Sequence, residues 1–221
     1  MQTRPRDGLT WHNWKPRPHG RGARTVRLTP LRPVHTPAHA RARFEGVARR
    51  FSVVGIPGSG KTTISRRLAE RLDLTHVELD SLFHGPNWSQ PLPEDFERRV
   101  AAALNGLDAW VVDGNYRSWV GGIVLEHADT IVWLDLPLRV CLRRVWRRTW
   151  RRIAAREELW ESKNRETIRN AFLARESLFV WAFKAHRRHR RDMPEWIERH
   201  PHLQVVHLRS RRDVERWLST F

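Results

Sequence analysis

Eight consecutive residues, Gly55-Ile56-Pro57-Gly58-Ser59-Gly60-Lys61-Thr62, combine backbone freedom, a cation and a hydroxyl in the order needed to grip a polyphosphate. Glycines let such a loop turn its N–H groups toward one anion, which also meets the positive end of the helix that follows. In the G-x-x-x-x-G-K-[ST] spacing, Lys61 reaches the β- and γ-phosphates and the Thr62 hydroxyl ligates Mg²⁺. Pro57, Ser59 and Thr63 complete the expected contacts to bound ATP. The rival reading is an ordinary glycine-rich turn.

Three carboxylates stand at the ends of apolar runs: Asp80 after Val77-Glu78-Leu79, Asp113 after Trp110-Val111-Val112 and Asp135 after Val132-Trp133-Leu134. A hydrophobic strand ending in Asp beside a phosphate loop is the expected form of a magnesium-supporting acid, and Asp113 fits it. Asp80, on a different strand, fits an orienting group or base for an acceptor hydroxyl. Asp135 precedes Leu136-Pro137 and fits a cap for the next helix. Each could also be a plain turn residue. In the stretch 138–156, Arg143, Arg147 and Arg151 form one i, i+4 row and Arg144, Arg148 and Arg152 another, with no acid before Glu157. Like charges at that spacing repel by a few tenths of a kcal/mol per pair, so an anion would relieve them. Arginine suits a transferring phosphoryl group, and Arg144 and Arg148 are the candidates; for the others an exposed basic face is expected.

The elements that must position these groups are legible in the periodicity. Apolar strand-like runs at 50–54, 75–80, 109–113, 130–135 and 203–208 alternate with helical patterns at about 62–72, 94–105 and 211–218. Ile64, Leu68, Ala69 and Leu72 mark the buried face of the first helix. The expected fold is α/β, a doubly wound five-stranded parallel sheet of the P-loop NTPase type with a short Arg-rich lid at about 144–170. Ligands of such sheets bind beyond the carboxyl ends of the strands.

Composition sets the boundaries. The chain has 221 residues and a net charge of +17, with 37 arginines against four lysines. Residues 1–50 carry twelve basic and two acidic side chains, so +10 belongs to that segment and +7 to the remainder. Residues 1–49 also hold six of the 13 prolines and no serine. We expect a disordered basic arm there, able at most to bind nucleic acid weakly, and a folded domain at 50–221. The arm lacks the apolar core of a signal peptide and the serines of a transit peptide. No apolar run approaches a membrane span, and the single Cys141 excludes an internal disulfide and suits a reducing, cytoplasmic setting. A monomer or dimer is expected.

Residues 55–62, Val77-Glu78-Leu79-Asp80, the Trp88 loop, Val111-Val112-Asp113-Gly114-Asn115-Tyr116, Trp133-Leu134-Asp135-Leu136-Pro137 and Asn164-Arg165-Glu166 occur in an order that resembles the P-loop kinases of the adenylate kinase-like superfamily. The similarity is greatest to small bacterial proteins labelled DNA topology modulation protein. The resemblance implies ATP-dependent transfer of the γ-phosphoryl to a nucleotide, nucleoside or other small hydroxylated acceptor. It assigns Lys61, Asp80, Arg144, Arg148 and Arg165 to catalysis, with Arg169 returning beside Arg165 from the lid. Thr62 and Asp113 would serve the metal, and Arg211, in the loop 210–212, would border the adenine. Asp80, His84, Trp88 and Arg117 would face the acceptor. An acceptor-phosphate arginine that adenylate kinases carry after their second strand has no counterpart in Asp80-Ser81-Leu82-Phe83-His84, so AMP is not the expected acceptor. A non-enzymatic ATP-binding regulator acting on nucleic acid is the alternative.

Overall fold

The computed structural model describes residues 49–168 and 178–221, with backbone alone at 117–118 and 178–181. The expected basic arm lies outside the described residues, except for Arg49. Five parallel strands, β1 (Arg50–Gly55), β2 (Thr75–Glu78), β3 (Trp110–Asp113), β4 (Thr130–Leu134) and β7 (Gln204–Leu208), form one sheet in the order β2-β3-β1-β4-β7. Alternation along each strand sends neighbouring side chains to opposite faces, and both faces are apolar. Phe51, Val53, Val111, Val132 and Leu134 pack against helices α1 (Lys61–Leu72) and α7 (Arg211–Leu218). Val54, Val112, Ile131 and Trp133 face the opposite layer. That layer includes α3 (Pro93–Leu104), α4 (Arg117–Leu125) and α6 (Leu178–Glu198).

Helix α5 (Leu138–Ala154) follows β4 and leads into a small antiparallel hairpin, β5 (Glu158–Leu159) and β6 (Asn164–Arg165). Neither this hairpin nor α6 is among the elements expected from sequence. Two-residue strands carry no measurable period, and α6 contains Pro194 within an Arg- and His-rich run.

Two expectations change. β2 ends at Glu78, and Asp80 lies in the first turn of a five-residue helix, α2 (Leu79–Phe83). The Ser81 hydroxyl donates to the Glu78 carbonyl at 2.7 Å, while Leu79 and Phe83 turn into the core, which rotates the chain out of the strand. Asp135 does not cap α5. Pro137 holds the cap position, and the Asp135 carboxylate accepts from Arg190 Nε at 2.8 Å and lies 3.3 Å from His207 Nε2. Among the described residues, no helix is long and apolar enough to cross a membrane.

Candidate active site

The loop joining β1 to α1 is gripped on two sides. Gly58 has φ 76°, and a Cβ there would stand 2.3 Å from the Cys141 carbonyl oxygen and 2.8 Å from Val145 Cγ2, so α5 can approach only a glycine. From the same helix, Arg144 Nη1 donates to the carbonyls of Ser59 at 3.1 Å and Gly58 at 3.5 Å. On the other side, Asn115 Oδ1 accepts from the Gly55 N–H at 3.1 Å and its Nδ2 donates to the Gly55 carbonyl. Gly60, at φ 98°, forms the N-cap of α1. The first-turn N–H groups of α1, including those of Thr62 and Thr63, have no intrahelical acceptor and are available to an anion.

Lys61 opens α1 and its Nζ reaches the Ile56 carbonyl at 3.5 Å. Burial lowers its pKa below the ordinary 10.5, Asp80 and then Asp113 oppose the shift, and Arg148 adds to it. The loop cation, Asp113 at the end of β3, Asp80 in the first turn of α2 and an α5 guanidinium therefore share one electrostatic environment at the carboxyl edge of the sheet. Burial, with Arg152 beside it, likewise lowers Arg148, and Glu166, Asp80 and Glu78 counter it. Arg148 Nε and Ser59 Oγ are buried without a hydrogen-bond partner. Orphaned donors are costly, so phosphate oxygens are the group these atoms fit.

The acids differ in their surroundings. Asp113 is 1% exposed, and His76 Nε2 must carry the hydrogen in its 3.0 Å contact with Asp113 Oδ2, since a carboxylate only accepts. Asp80 Oδ1 accepts from the Tyr116 hydroxyl at 2.8 Å. Burial first, then Asp80, raises the Tyr116 pKa well above 10, so the phenol stays a donor. Glu78 is raised by burial and by Asp113; it accepts from Trp160 Nε1 at 3.2 Å and pairs with Arg66 at 3.6 Å. For Mg²⁺, which takes one or two carboxylates beside substrate phosphates, the donors present are the Thr62 hydroxyl and Asp113.

Beyond Asp80, His84, Trp88 and Trp160 form an aromatic wall. His84 stacks on Trp160 with ring centroids 5.4 Å apart, and Trp88 meets both edge-on. Burial lowers the His84 pKa below 6.5. Asn164 clasps the hairpin to this wall: its Oδ1 accepts from Trp88 N at 3.1 Å and its Nδ2 donates to the Gly85 carbonyl at 2.9 Å.

The expected residues thus separate into groups. Lys61, Asp80, Asp113 and Arg148 converge, Arg144 buttresses the loop, and His84 and Trp88 lie in the wall that adjoins Asp80. Arg165 is exposed and pairs with Glu158 at 2.5 Å across the hairpin. Arg211 is exposed at the start of α7, whose N-cap is Ser210. Arg117 begins α4, but its side chain, like the whole of Arg169, lies outside the described residues. Tyr116, Glu78, His76, Asn115 and Trp160 were not expected from sequence to contribute. For Tyr116 and Asn115 the only signal was their place directly after Asp113-Gly114.

A family model described as AAA domain matches residues 52–169. A cytidylate kinase from Halobacterium salinarum is 30% identical over 109 residues, covering 42% of this chain and 55% of that protein. A shikimate kinase from Synechococcus elongatus is 35% identical over 106 residues, again covering 42% and 55%. The matched chain spans about half the length of these two relatives. A solved structure, shikimate kinase from Acinetobacter baumannii in complex with shikimate, superimposes with a TM-score of 0.48 at 16% identity, over 82% of this chain and 93% of that one.

Proposed function

The chain belongs to the AAA-domain family and, with cytidylate and shikimate kinases among its relatives, to the P-loop kinases of the adenylate kinase-like superfamily, and on that premise we propose that it transfers the γ-phosphoryl of ATP to a small hydroxylated molecule or nucleotide. The observation that carries this reading is the convergence of Lys61, Arg148, Asp80 and Asp113 beside an arginine-braced phosphate loop. An ATP-binding regulator needs the loop. It does not need a second acid, held by a buried phenol, facing the same cation.

In the reaction, an acceptor hydroxyl oxygen forms a bond to the γ-phosphorus as the bond from γ-phosphorus to the bridging oxygen breaks, and ADP leaves. Asp80, fixed by Tyr116, orients the hydroxyl and receives its proton. Lys61 and Arg148 face the charge on the transferring group, where a dry, preorganised cation is most effective. Bound Mg²⁺, held by Thr62 with Asp113 behind it, would supply further neutralisation of the phosphates. Arg144 acts through the loop, keeping its carbonyls turned outward. The wall of His84, Trp88 and Trp160 gives the acceptor an aromatic surface.

Within the superfamily we place the chain beside the proteins labelled DNA topology modulation protein, on the residues at 77–80, 111–116, 133–137 and 164–166. The reading also takes 50–221 as the working domain and a reducing, cytoplasmic setting, which suits the buried Cys141, pushed up to about 11 by burial. Transfer from labelled ATP should be screened against nucleotides, nucleosides, sugars and hydroxy acids. A labelled product that disappears in Asp80→Asn supports the reading. ATP binding with no transfer to any of these acceptors would favour the regulator instead.

A further inference from the structure

Glu166 stands directly after β6 and reaches α5. Its Oε1 accepts from Arg152 Nη1 at 2.8 Å, and both side chains are largely buried, 11% exposed for Glu166 and 20% for Arg152. The second oxygen, Oε2, is buried with no hydrogen-bond partner. A carboxylate accepts at both oxygens, so a buried idle one is costly. One turn before Arg152 stands Arg148, whose Nε is a buried donor in the same condition. Burial and then Arg152 lower the Arg148 pKa, and Glu166 leads the acids that oppose them, so the carboxylate already acts on that guanidinium. Arg152 Nε is drawn the other way, to Glu157 at 3.5 Å. Two residues before Glu166, Asn164 clasps the hairpin to the Trp88 loop.

We propose that Glu166 is a positioning residue for Arg148: anchored through Oε1 to Arg152, it offers Oε2 to an Nη–H of Arg148 and leaves Nε to the γ-phosphoryl group. A guanidinium presents donors along two edges of one plane, so a carboxylate on one edge fixes the direction of the other. Arg148 and Arg152 are like charges at i, i+4, and an anion held between them removes the repulsion that would turn Arg148 away. Asp80 and Glu78, the other acids that act on Arg148, are engaged by Tyr116 and by Trp160 with Arg66, which leaves the idle oxygen to Glu166. The same short segment thereby ties the acceptor wall, through Asn164, to the arginine of phosphoryl transfer. The role rests on the phosphotransfer reading above.

The test is calorimetric titration of the full chain with Mg·ATP and with Mg·ADP, which lacks the γ-phosphoryl. Glu166→Gln keeps the size and removes the charge, and Glu157 still balances Arg152, so the fold should hold. Mg·ATP affinity should fall about tenfold, the lower end of what one hydrogen bond to a charged group is worth, while Mg·ADP affinity is unchanged. Arg148→Met should show the same selective loss, and adding Glu166→Gln to it should weaken Mg·ATP binding no further, because Glu166 acts through Arg148. Should Glu166→Gln not fold, Glu166→Asp, which keeps the charge and draws it back by one methylene, carries the same expectation. Equal loss for ATP and ADP, additive losses in the double variant, or unchanged ATP affinity in Glu166→Gln would each leave the carboxylate a clasp between hairpin and α5 and overturn the proposal alone. A parent chain that transfers to no acceptor in the labelled-ATP screen would overturn the phosphotransfer reading and this role with it.

Discussion

The Tyr116 hydroxyl donates to Asp80 Oδ1 at 2.8 Å, joining the segment after β3 to the first turn of α2. Tyr116 is 9% exposed and packs against Phe83 with centroids 4.6 Å apart, so the phenol is rigid and the carboxylate takes its orientation from it. Tyr116→Phe keeps the packing and removes only the donor. Stability should fall by about 1 kcal/mol, the usual net value of one hydrogen bond. The Mg·ATP thermal shift should stay, while phosphoryl transfer slows at least tenfold. Unchanged transfer would show that Asp80 does not depend on this bond.

Lys61 is a buried cation whose pKa is depressed mainly by desolvation. The sign follows from proton counting. Between its folded pKa and 10.5 the unfolded chain holds more protons, so stability rises with pH across that window. Lys61→Met removes the charge and keeps the volume. We expect the variant to be as stable as the parent or more so near neutrality, to lose the pH-linked gain at alkaline pH, and to show no Mg·ATP thermal shift. Thermal melts with and without nucleotide across pH measure all three. A retained nucleotide shift would remove Lys61 from the phosphate site.

The clasp between the β5–β6 hairpin and the Trp88 loop should respond to acid through His84. Burial depresses its pKa, so protonation is disfavoured in the folded state. The stability this confers is complete above 6.5 and is lost as pH falls from there through the folded value. His186 is lowered as well, by burial and by Arg190, so the comparison must be with His84→Phe rather than with neutral pH alone. Hydrogen exchange at Trp88 N, which Asn164 Oδ1 accepts, should accelerate below 6.5 in the parent and not in the variant. Equal acceleration in both would place the switch elsewhere.

Much of this arrangement is visible in the residues themselves, and what is hidden has physical causes. The loop 55–62 and the five strands are legible because a parallel sheet buried on both faces writes short, continuous apolar runs. The converging roles of Lys61, Asp80, Asp113 and Arg148 follow from placing strand ends at one sheet edge. The second strand ends two residues earlier than expected, at Glu78 rather than Asp80, because Leu79 reads as strand yet turns inward beside Gly114, where a Cβ would come within 2.8 Å of Leu79 Cβ. Tyr116, Trp160 and Asn164 were hidden because their partners lie 36, 82 and 76 residues away. Asp135 looked like a cap because nothing nearby revealed Arg190 and His207.

Asp80 and Asp113 have different surroundings and should fail differently. Asp113 is buried and held by His76, at β3 register with Val53 and Glu78, whereas Asp80 is half-buried and held by Tyr116. If Asp113 supports the metal and Asp80 the acceptor hydroxyl, Asp113→Asn should weaken Mg·ATP binding severalfold and lower transfer with every acceptor. Asp80→Asn should leave Mg·ATP affinity within about twofold and depress transfer by 10²–10⁴-fold, the usual range for a lost general base. Both changes keep size, and Asn at 113 can still accept from His76 through its oxygen, so melting temperatures should move little. Calorimetry of Mg·ATP binding and single-turnover transfer separate the two. Equal loss of affinity in both variants would refute the division of labour, and loss of folding in both would make them turn and packing residues.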